Sequence, residues 1–184
     1  MPKYINILKC VCQHKIILIS YNILEKGELK LKINYKKLII CIAIPVVLGA
    51  LSGFVTRGGM EIFKTLQKPP LSPPAIVFPI VWTILYVLMG IASYLVSESE
   101  YSCKAAALRV YGLQLLFNII WPIIFFSLKA YLFAFVWLVV LFLLVVITTV
   151  LFYSCKKWAG YLMIPYLIWL VIAGYLNLGI YLLN

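Results

Sequence analysis

Acidic residues are almost missing from this sequence of 184 residues, which has five glutamates, no aspartate and a single histidine. The glutamates lie at positions 25, 28, 61, 98 and 100, all outside the long apolar stretches. Ionisable groups inside a bilayer are costly, and they mark pumps and proton relays. The absence of glutamate and aspartate from the apolar stretches excludes a carboxylate-driven proton pump and a catalytic pair of carboxylates within a membrane.

Grouped metal ligands are also missing. The five cysteines, at positions 10, 12, 41, 103 and 155, form no repeated CxxC spacing, so a zinc site is not indicated. Cys10, Cys12 and His14 could hold a metal ion, but unpaired thiols in an N-terminal arm are the preferred interpretation. The sequence therefore predicts no metal site and no required cofactor.

Apolar residues, by contrast, make up 65% of the chain and charged residues 11%, with a mean hydropathy of +1.08. A soluble domain has about 45–50% apolar and 25% charged residues. Five segments reach the roughly 20 apolar residues that a membrane-spanning helix needs; they are residues 38–55, 79–97, 105–128, 130–153 and 158–183. The predicted fold class is an all-α integral membrane protein, a bundle of five transmembrane helices with a long Pro-rich loop between helices 1 and 2.

The net charge of +11 reflects 16 lysines and arginines against five glutamates. The basic residues lie between the apolar segments and at the N-terminus, except Arg109, which lies near the start of the third segment and can reach the membrane interface. In those positions they act as orientation signals and contacts with lipid headgroups, so the lipid bilayer is a predicted partner and nucleic acid is not. Twelve of them lie on the side of the N-terminus and four on the other side. The positive-inside rule then predicts a cytoplasmic N-terminus.

Residues 1–35 are predicted to form a basic arm, separate from a transmembrane domain over residues 36–184. The apolar patches of the arm are too short to span a bilayer. Two interpretations stay open. Either part of the arm is untranslated, because "EKGE" at residues 25–28 can be encoded by a stretch that contains a ribosome-binding sequence, or the arm is translated and is disordered or lies on the anionic inner leaflet.

Five of the nine prolines lie in "KPPLSPPAIVFP", residues 68–79, ahead of the second apolar segment. Because proline fixes φ and lacks an N–H, this stretch cannot form a helix or a central strand, and a stiff cover over one mouth of the bundle is predicted. Lys64 and Lys68, with Arg57, would place positive charge at this mouth, where a carboxylate of a ligand could anchor. A solvated loop is the alternative.

Three of the predicted helices carry aromatic and amide side chains at helical spacing. The three stripes are Trp82, Tyr86, Gly90 and Ser93; Gln114, Asn118 and Trp121; and Tyr166, Trp169, Ala173 and Asn177. Such stripes either join helices through hydrogen bonds or converge on an apolar pocket with a few orienting polar groups, and the pattern alone favours neither.

Four motifs together resemble one known family. They are "LQKPPLSPP" (66–74), "VFPIVWTILYVLMGIASYLV" (77–96), "LQLLFNIIWPIIFF" (113–126) and "PYLIWLVIAGYLNLGIYLLN" (165–184). The chain is similar to the translocator protein, or tryptophan-rich sensory protein, family. The resemblance implies a multi-pass protein of a bacterial cell membrane and a homodimer of five-helix bundles. It also implies a pocket under the loop between helices 1 and 2 that binds protoporphyrin IX, haem-type tetrapyrroles and, in some members, sterols.

The resemblance also implies which residues bind the ligand. The matching positions are Pro74, Trp82, Tyr86, Gln114, Phe117, Asn118, Trp121, Trp169, Ala173 and Asn177. Tyr166, from the third stripe, completes the predicted ligand-binding set. Some bacterial members are reported to break down protoporphyrin IX in light, and the tryptophans associated with that activity correspond to Trp82 and Trp169, which are therefore candidate catalytic residues.

The predicted function is a membrane receptor or binding protein for porphyrin-type tetrapyrroles or similar planar apolar ligands, in sensing, transport or scavenging. The alternative is a light-dependent, porphyrin-degrading enzyme that uses the same two tryptophans. A structural membrane protein with a vestigial pocket is a third hypothesis.

Two local features carry further expectations. Pro122, where the family usually has serine, is predicted to kink the third helix and to free a carbonyl towards the pocket. Gly49 and Gly53 form a GxxxG pattern in the first helix, which serves contacts within a chain as readily as contacts in a dimer.

Overall fold

The structure, a computed structural model, describes residues 33–59, 63 and 65–184, and it contains five long helices. They are α1 (Tyr35–Val55), α2 (Val77–Ser97), α3 (Lys104–Pro122), α4 (Tyr131–Cys155) and α5 (Lys157–Leu183). All five are long and apolar enough to cross a membrane, when α3 is taken on to Ser127. The predicted all-α, five-span fold is therefore confirmed.

Residues 36–184 form one compact unit. Most of the basic arm predicted over residues 1–35, including Cys10, Cys12 and His14, lies outside the described residues.

The chain runs up and down through the bundle. At one end, Lys37 near the start of α1 pairs with Glu98, which directly follows α2, at 2.5 Å. At the other end, the loop over residues 56–76 joins α1 to α2. We call the half of the bundle beneath this loop the loop half and the other the remote half.

The remote half is packed solid. Its interior side chains, which have no exposed surface, come from α2, α4 and α5 and include Met89, Val96, Val145, Phe152 and Met163. Flexible methionines fill irregular gaps between helices well. This packing leaves the loop half as the place where a cavity can form.

Helix α1 is the least buried of the five, with Pro45 and Ser52 as its buried residues. It approaches α2 most closely at two glycines: a Cβ added to Gly49 would overlap the ring of Tyr86, and one added to Gly90 would lie 2.5 Å from the Cα of Ile42. Small residues let membrane helices approach in this way. Gly49 of the GxxxG pattern therefore serves a contact within the chain.

Helix α3 changes its geometry at Pro122. Residues Ile123–Ser127 continue it as a π-helix, and the backbone N–H of Ile123 donates to the carbonyl of Ile120. The carbonyl of Ile119 instead accepts the hydroxyl of Ser52 on α1, at 2.9 Å. A proline without an N–H thus interrupts the regular helix, as predicted, and a carbonyl becomes available to a neighbouring helix.

Residues 68–76 of the Pro-rich stretch are not helical, as predicted, whereas Val77, Phe78 and Pro79 form the first turn of α2. The stretch is fixed to the C-terminal part of α5. The backbone N–H and C=O of Gln67 both bond to the side-chain amide of Asn184, each at 3.0 Å. The hydroxyl of Tyr175 donates to the carbonyl of Pro70 at 2.7 Å. Pro69 packs so closely on Gly179 that a Cβ there would lie 2.6 Å from the proline ring.

Candidate functional site: an aromatic cavity in the loop half

A cavity of about 440 Å³ lies in the loop half, between α1, α2, α3 and α5. This volume falls in the range of sites for drug-sized ligands, roughly 300–1,000 Å³. Its walls combine indole, phenyl and phenol rings with a small number of amides and hydroxyls. That composition is typical of a binding site for a small apolar molecule.

Seven of the eleven predicted ligand-binding residues line this cavity. They come from all three stripes, and they are Trp82, Tyr86, Asn118, Trp121, Trp169, Ala173 and Asn177. Helical spacing placed them on common faces, and the packing of α2, α3 and α5 around one space turned those faces towards each other.

The other four predicted residues do not line the cavity. Pro74 is exposed in the loop. Gln114 is fully buried one turn further from the loop, and its amide nitrogen lies 3.8 Å from the sulfur of Met89. Phe117 faces α4 and stacks on Trp137 with ring centroids 4.3 Å apart. Tyr166 is completely buried behind the cavity wall.

Tyr166 nevertheless acts on the cavity indirectly, through Asn118. The hydroxyl of Tyr86 donates to the side-chain oxygen of Asn118 at 2.7 Å, and the amide nitrogen of Asn118 donates to the hydroxyl of Tyr166 at 2.6 Å. The ring of Trp82 stacks on Tyr86 at 5.5 Å and meets the edge of Tyr166 at 5.9 Å. This hydrogen-bonded chain joins three helices and holds one aromatic wall of the cavity in place.

Other polar atoms of the wall have no such partner. Within the part of the chain that the structure describes, the indole N–H groups of Trp121 and Trp169 and both amide atoms of Asn177 are buried without a hydrogen bond. All three residues line the cavity. A buried polar group left unsatisfied costs about 1–3 kcal/mol. A ligand with oxygen or nitrogen acceptors would remove part of that cost.

Charge is confined to the margin of the site. The cavity-lining residues in the described part of the chain are all uncharged. Lys68 lies just outside, with its ammonium 4.7 Å from the ring centre of Phe63, which does line the cavity. Arg57 instead covers Phe54, which does not. Lys64 lies outside the described residues. Of the three basic residues predicted at the mouth, the structure thus places Lys68 next to the cavity.

Several lining residues were not predicted. Phe125 and Phe126 reach the cavity from the π-helix after Pro122, and Phe78 packs edge-on against Trp169 at 5.8 Å. Ser52 of α1 and Thr56, the residue directly after α1, also line the cavity. These two hydroxyl residues are four positions apart, a helical spacing at the end of the first apolar segment that could have indicated them from the sequence.

Fold and site together define a five-helix membrane protein with an aromatic cavity in the loop half, lined in the described part of the chain by uncharged residues. The sequence profile of the TspO/MBR family matches residues 41–183. The chain belongs to this family, and it is a multi-pass integral membrane protein.

Individual relatives agree with this assignment. The chain is 41% identical to the tryptophan-rich sensory protein of Cereibacter sphaeroides over 117 residues, which is 64% of this chain and 73% of the relative. It is 35% identical to the tryptophan-rich protein TspO of Chlorobaculum tepidum over 150 residues, 80% of this chain and 95% of the relative. It is also 38% identical to the human translocator protein over 129 residues, 68% of this chain and 76% of the relative.

Proposed function

We propose that this protein is a membrane receptor or binding protein for porphyrin-type tetrapyrroles or similar planar apolar molecules, in sensing, transport or scavenging. The observation that carries the proposal is the cavity in which rings from α2, α3 and α5 meet: Trp82, Trp121 and Trp169 line one space of about 440 Å³. Stacking on each ring would contribute about 0.5–1.5 kcal/mol beyond burial.

The polar groups of the wall support a ligand with acceptor atoms at its edge. Asn118 is held by two tyrosines, so it shapes the wall, whereas Asn177 and the indole N–H groups of Trp121 and Trp169 stay without a protein partner in the described structure. Since the lining carries no charge, an ionised carboxylate would bind at the margin near Lys68 rather than inside.

Titration with protoporphyrin IX tests the proposal, followed through the absorption and fluorescence of the porphyrin itself. Trp82→Ala and Trp169→Ala should each weaken binding about tenfold, since each removes a stacking surface. Trp158→Ala is the matched control, because Trp158 is 70% exposed and does not line the cavity. Unchanged affinity in both cavity variants would refute the assignment of the site.

Light-dependent degradation of the porphyrin is the second candidate function. Trp82 and Trp169, the two candidate catalytic residues, line the same cavity. The reaction would need light, bound porphyrin and an oxidant such as dioxygen, and the indoles would be the protein groups oxidised. Loss of the porphyrin absorption band under illumination, faster with the protein than without it and abolished in Trp82→Phe and Trp169→Phe, would favour the enzyme. Bleaching at the rate of free porphyrin would exclude it.

Orientation and assembly are part of the same proposal. The concentration of lysine and arginine at the remote end, including Lys36, Lys37, Lys156 and Lys157, supports a cytoplasmic N-terminus. The homodimer that the resemblance implies would use α3, where Gly112 is exposed and has open space around it. Labelling of single cysteines from either side and chemical cross-linking in membranes check the two points.

A further inference from the structure

Helices α1 and α2 touch each other in the remote half and at the middle of the bundle. The contacts are those of Gly49 with the Tyr86 ring and of Gly90 with the backbone of Ile42. Both glycines are required there, because a side chain in either position would collide with the other helix.

Above this level the two helices separate. Ala50 and Gly53 on α1 and Pro79 and Thr83 on α2 line the cavity and are at the same time exposed on the outside of the bundle. A residue that borders both an internal space and the outer surface stands at an opening. A Cβ added to Gly53 would meet no atom within 4 Å, so there is open space at this residue.

The gap lies between residues of the apolar, membrane-spanning segments of α1 and α2. Around it the outer surface is formed by apolar side chains of α1 and α2 that are more than half exposed, among them Leu51, Phe54, Ile80 and Ile84. The rim presents no free polar group: the hydroxyl of Thr83 donates to the carbonyl of Pro79 at 2.8 Å, and Pro79 has no N–H. An apolar molecule could cross this rim without losing hydrogen bonds.

The opposite route, through the loop, is covered. Phe63 is 6% exposed and packs edge-on against Phe78 and Phe126, at 5.7 and 6.0 Å between ring centres. The Pro-rich stretch is fixed to α5 through Gln67 and Asn184. Opening this cover would break aromatic contacts and two hydrogen bonds, whereas the gap between the helices is already open.

We propose that ligands reach the cavity sideways from the bilayer, through the gap between α1 and α2 bordered by Ala50, Gly53, Pro79 and Thr83. The inference rests on the proposed function, and it restricts the class of ligand: the site takes molecules that are dissolved in the hydrocarbon and uncharged while they pass. A porphyrin whose propionates are protonated or esterified fits this class, and its ionised form does not.

Binding kinetics test the route, with protoporphyrin IX dimethyl ester as the probe and the full-length protein in lipid nanodiscs. Gly53→Phe places a ring in the gap and should slow association and dissociation alike, by about tenfold, with the dissociation constant nearly unchanged. Val136→Phe is the matched control, because Val136 on α4 is 52% exposed and does not line the cavity. It should leave both rates as they are.

A second variant tests the route through the loop. Asn184→Ala removes both hydrogen bonds to Gln67 and should leave the two rates unchanged if the ligand passes between the helices. Faster binding by Asn184→Ala, or wild-type rates in Gly53→Phe, would overturn the lateral route. Faster dissociation in Gly53→Phe with an unchanged association rate would also overturn the lateral route. The new ring would then weaken binding inside the cavity and would not obstruct entry. If the wild-type protein bound no ester, the proposed function would fail first.

Discussion

The two halves of this bundle are built from the same five apolar helices, yet the remote half is solid and the loop half is hollow. In the remote half, small and flexible side chains such as Ala92, Met89 and Met163 have no exposed surface. In the loop half, rigid rings and a proline-interrupted helix surround about 440 Å³ of space. Side chains with few rotamers cannot collapse into a gap as methionine does. The contrast teaches that hydropathy determines where the helices lie, and side-chain shape determines whether their interior closes.

The largest expected effect comes from placing the same substitution in each half. Ala173 lines the cavity and Ala92 is fully buried in the remote half. Ala173→Phe should reduce the affinity for protoporphyrin IX by about a hundredfold or more, because the ring fills the space, and should leave the melting temperature unchanged or higher. Ala92→Phe should overpack a closed interior and cost about 1–3 kcal/mol of stability.

Porphyrin titration and thermal unfolding in detergent measure both quantities. The comparison between the halves would break down if Ala173→Phe destabilised the protein as much as Ala92→Phe does.

The next effect separates the two asparagines of the cavity wall. Asn118→Leu should cost about 1–3 kcal/mol of stability, since it leaves the hydroxyls of Tyr86 and Tyr166 without their shared partner. Asn177→Leu should be neutral or stabilising by about 1 kcal/mol, because it removes a buried amide that has no partner in the described structure. Thermal unfolding of ligand-free protein measures the difference. Equal destabilisation by both substitutions would show that Asn177 has a structural bond of its own.

The smallest effect concerns the charge at the margin of the cavity. Lys68→Ala should weaken binding of protoporphyrin IX about threefold and leave binding of its dimethyl ester unchanged, as expected for an exposed ion pair worth about 0.2–1 kcal/mol. Lys157→Ala, an exposed lysine at the remote end, is the control. An equal loss for diacid and ester would mean that Lys68 acts by holding Phe63 in place and not by its charge.

The sequence was sufficient to predict the membrane-spanning segments and seven of the residues that line the cavity. Five apolar segments predicted the helices to within a few residues, because length and hydropathy leave little freedom to a chain that must satisfy its backbone inside a bilayer. Helical spacing likewise predicted that Trp82 and Trp169 lie on faces turned to the interior.

Other parts of the site depend on packing between helices, which spacing does not contain. Gln114 shares a stripe with Asn118 and Trp121, but it lies one turn too far from the loop and meets Met89 in the solid half. Phe117 is turned to α4 and Trp137. Phe125 stands four residues after Trp121 and continues the stripe of α3, so helical spacing could have indicated it. Phe126 lines the cavity from the π-helix after Pro122, and the onset of that π-helix does not follow from a regular helical period.

The central claim is that indole rings from separate helices form one ligand site beneath the loop. An experimental structure of the protein with bound protoporphyrin IX tests it most directly. The account predicts density for the porphyrin between Trp82 and Trp169, with a polar edge near Asn177 and any ionised carboxylate near Lys68. Density for the ligand on the outer surface, with the space between those two rings unoccupied, would contradict it.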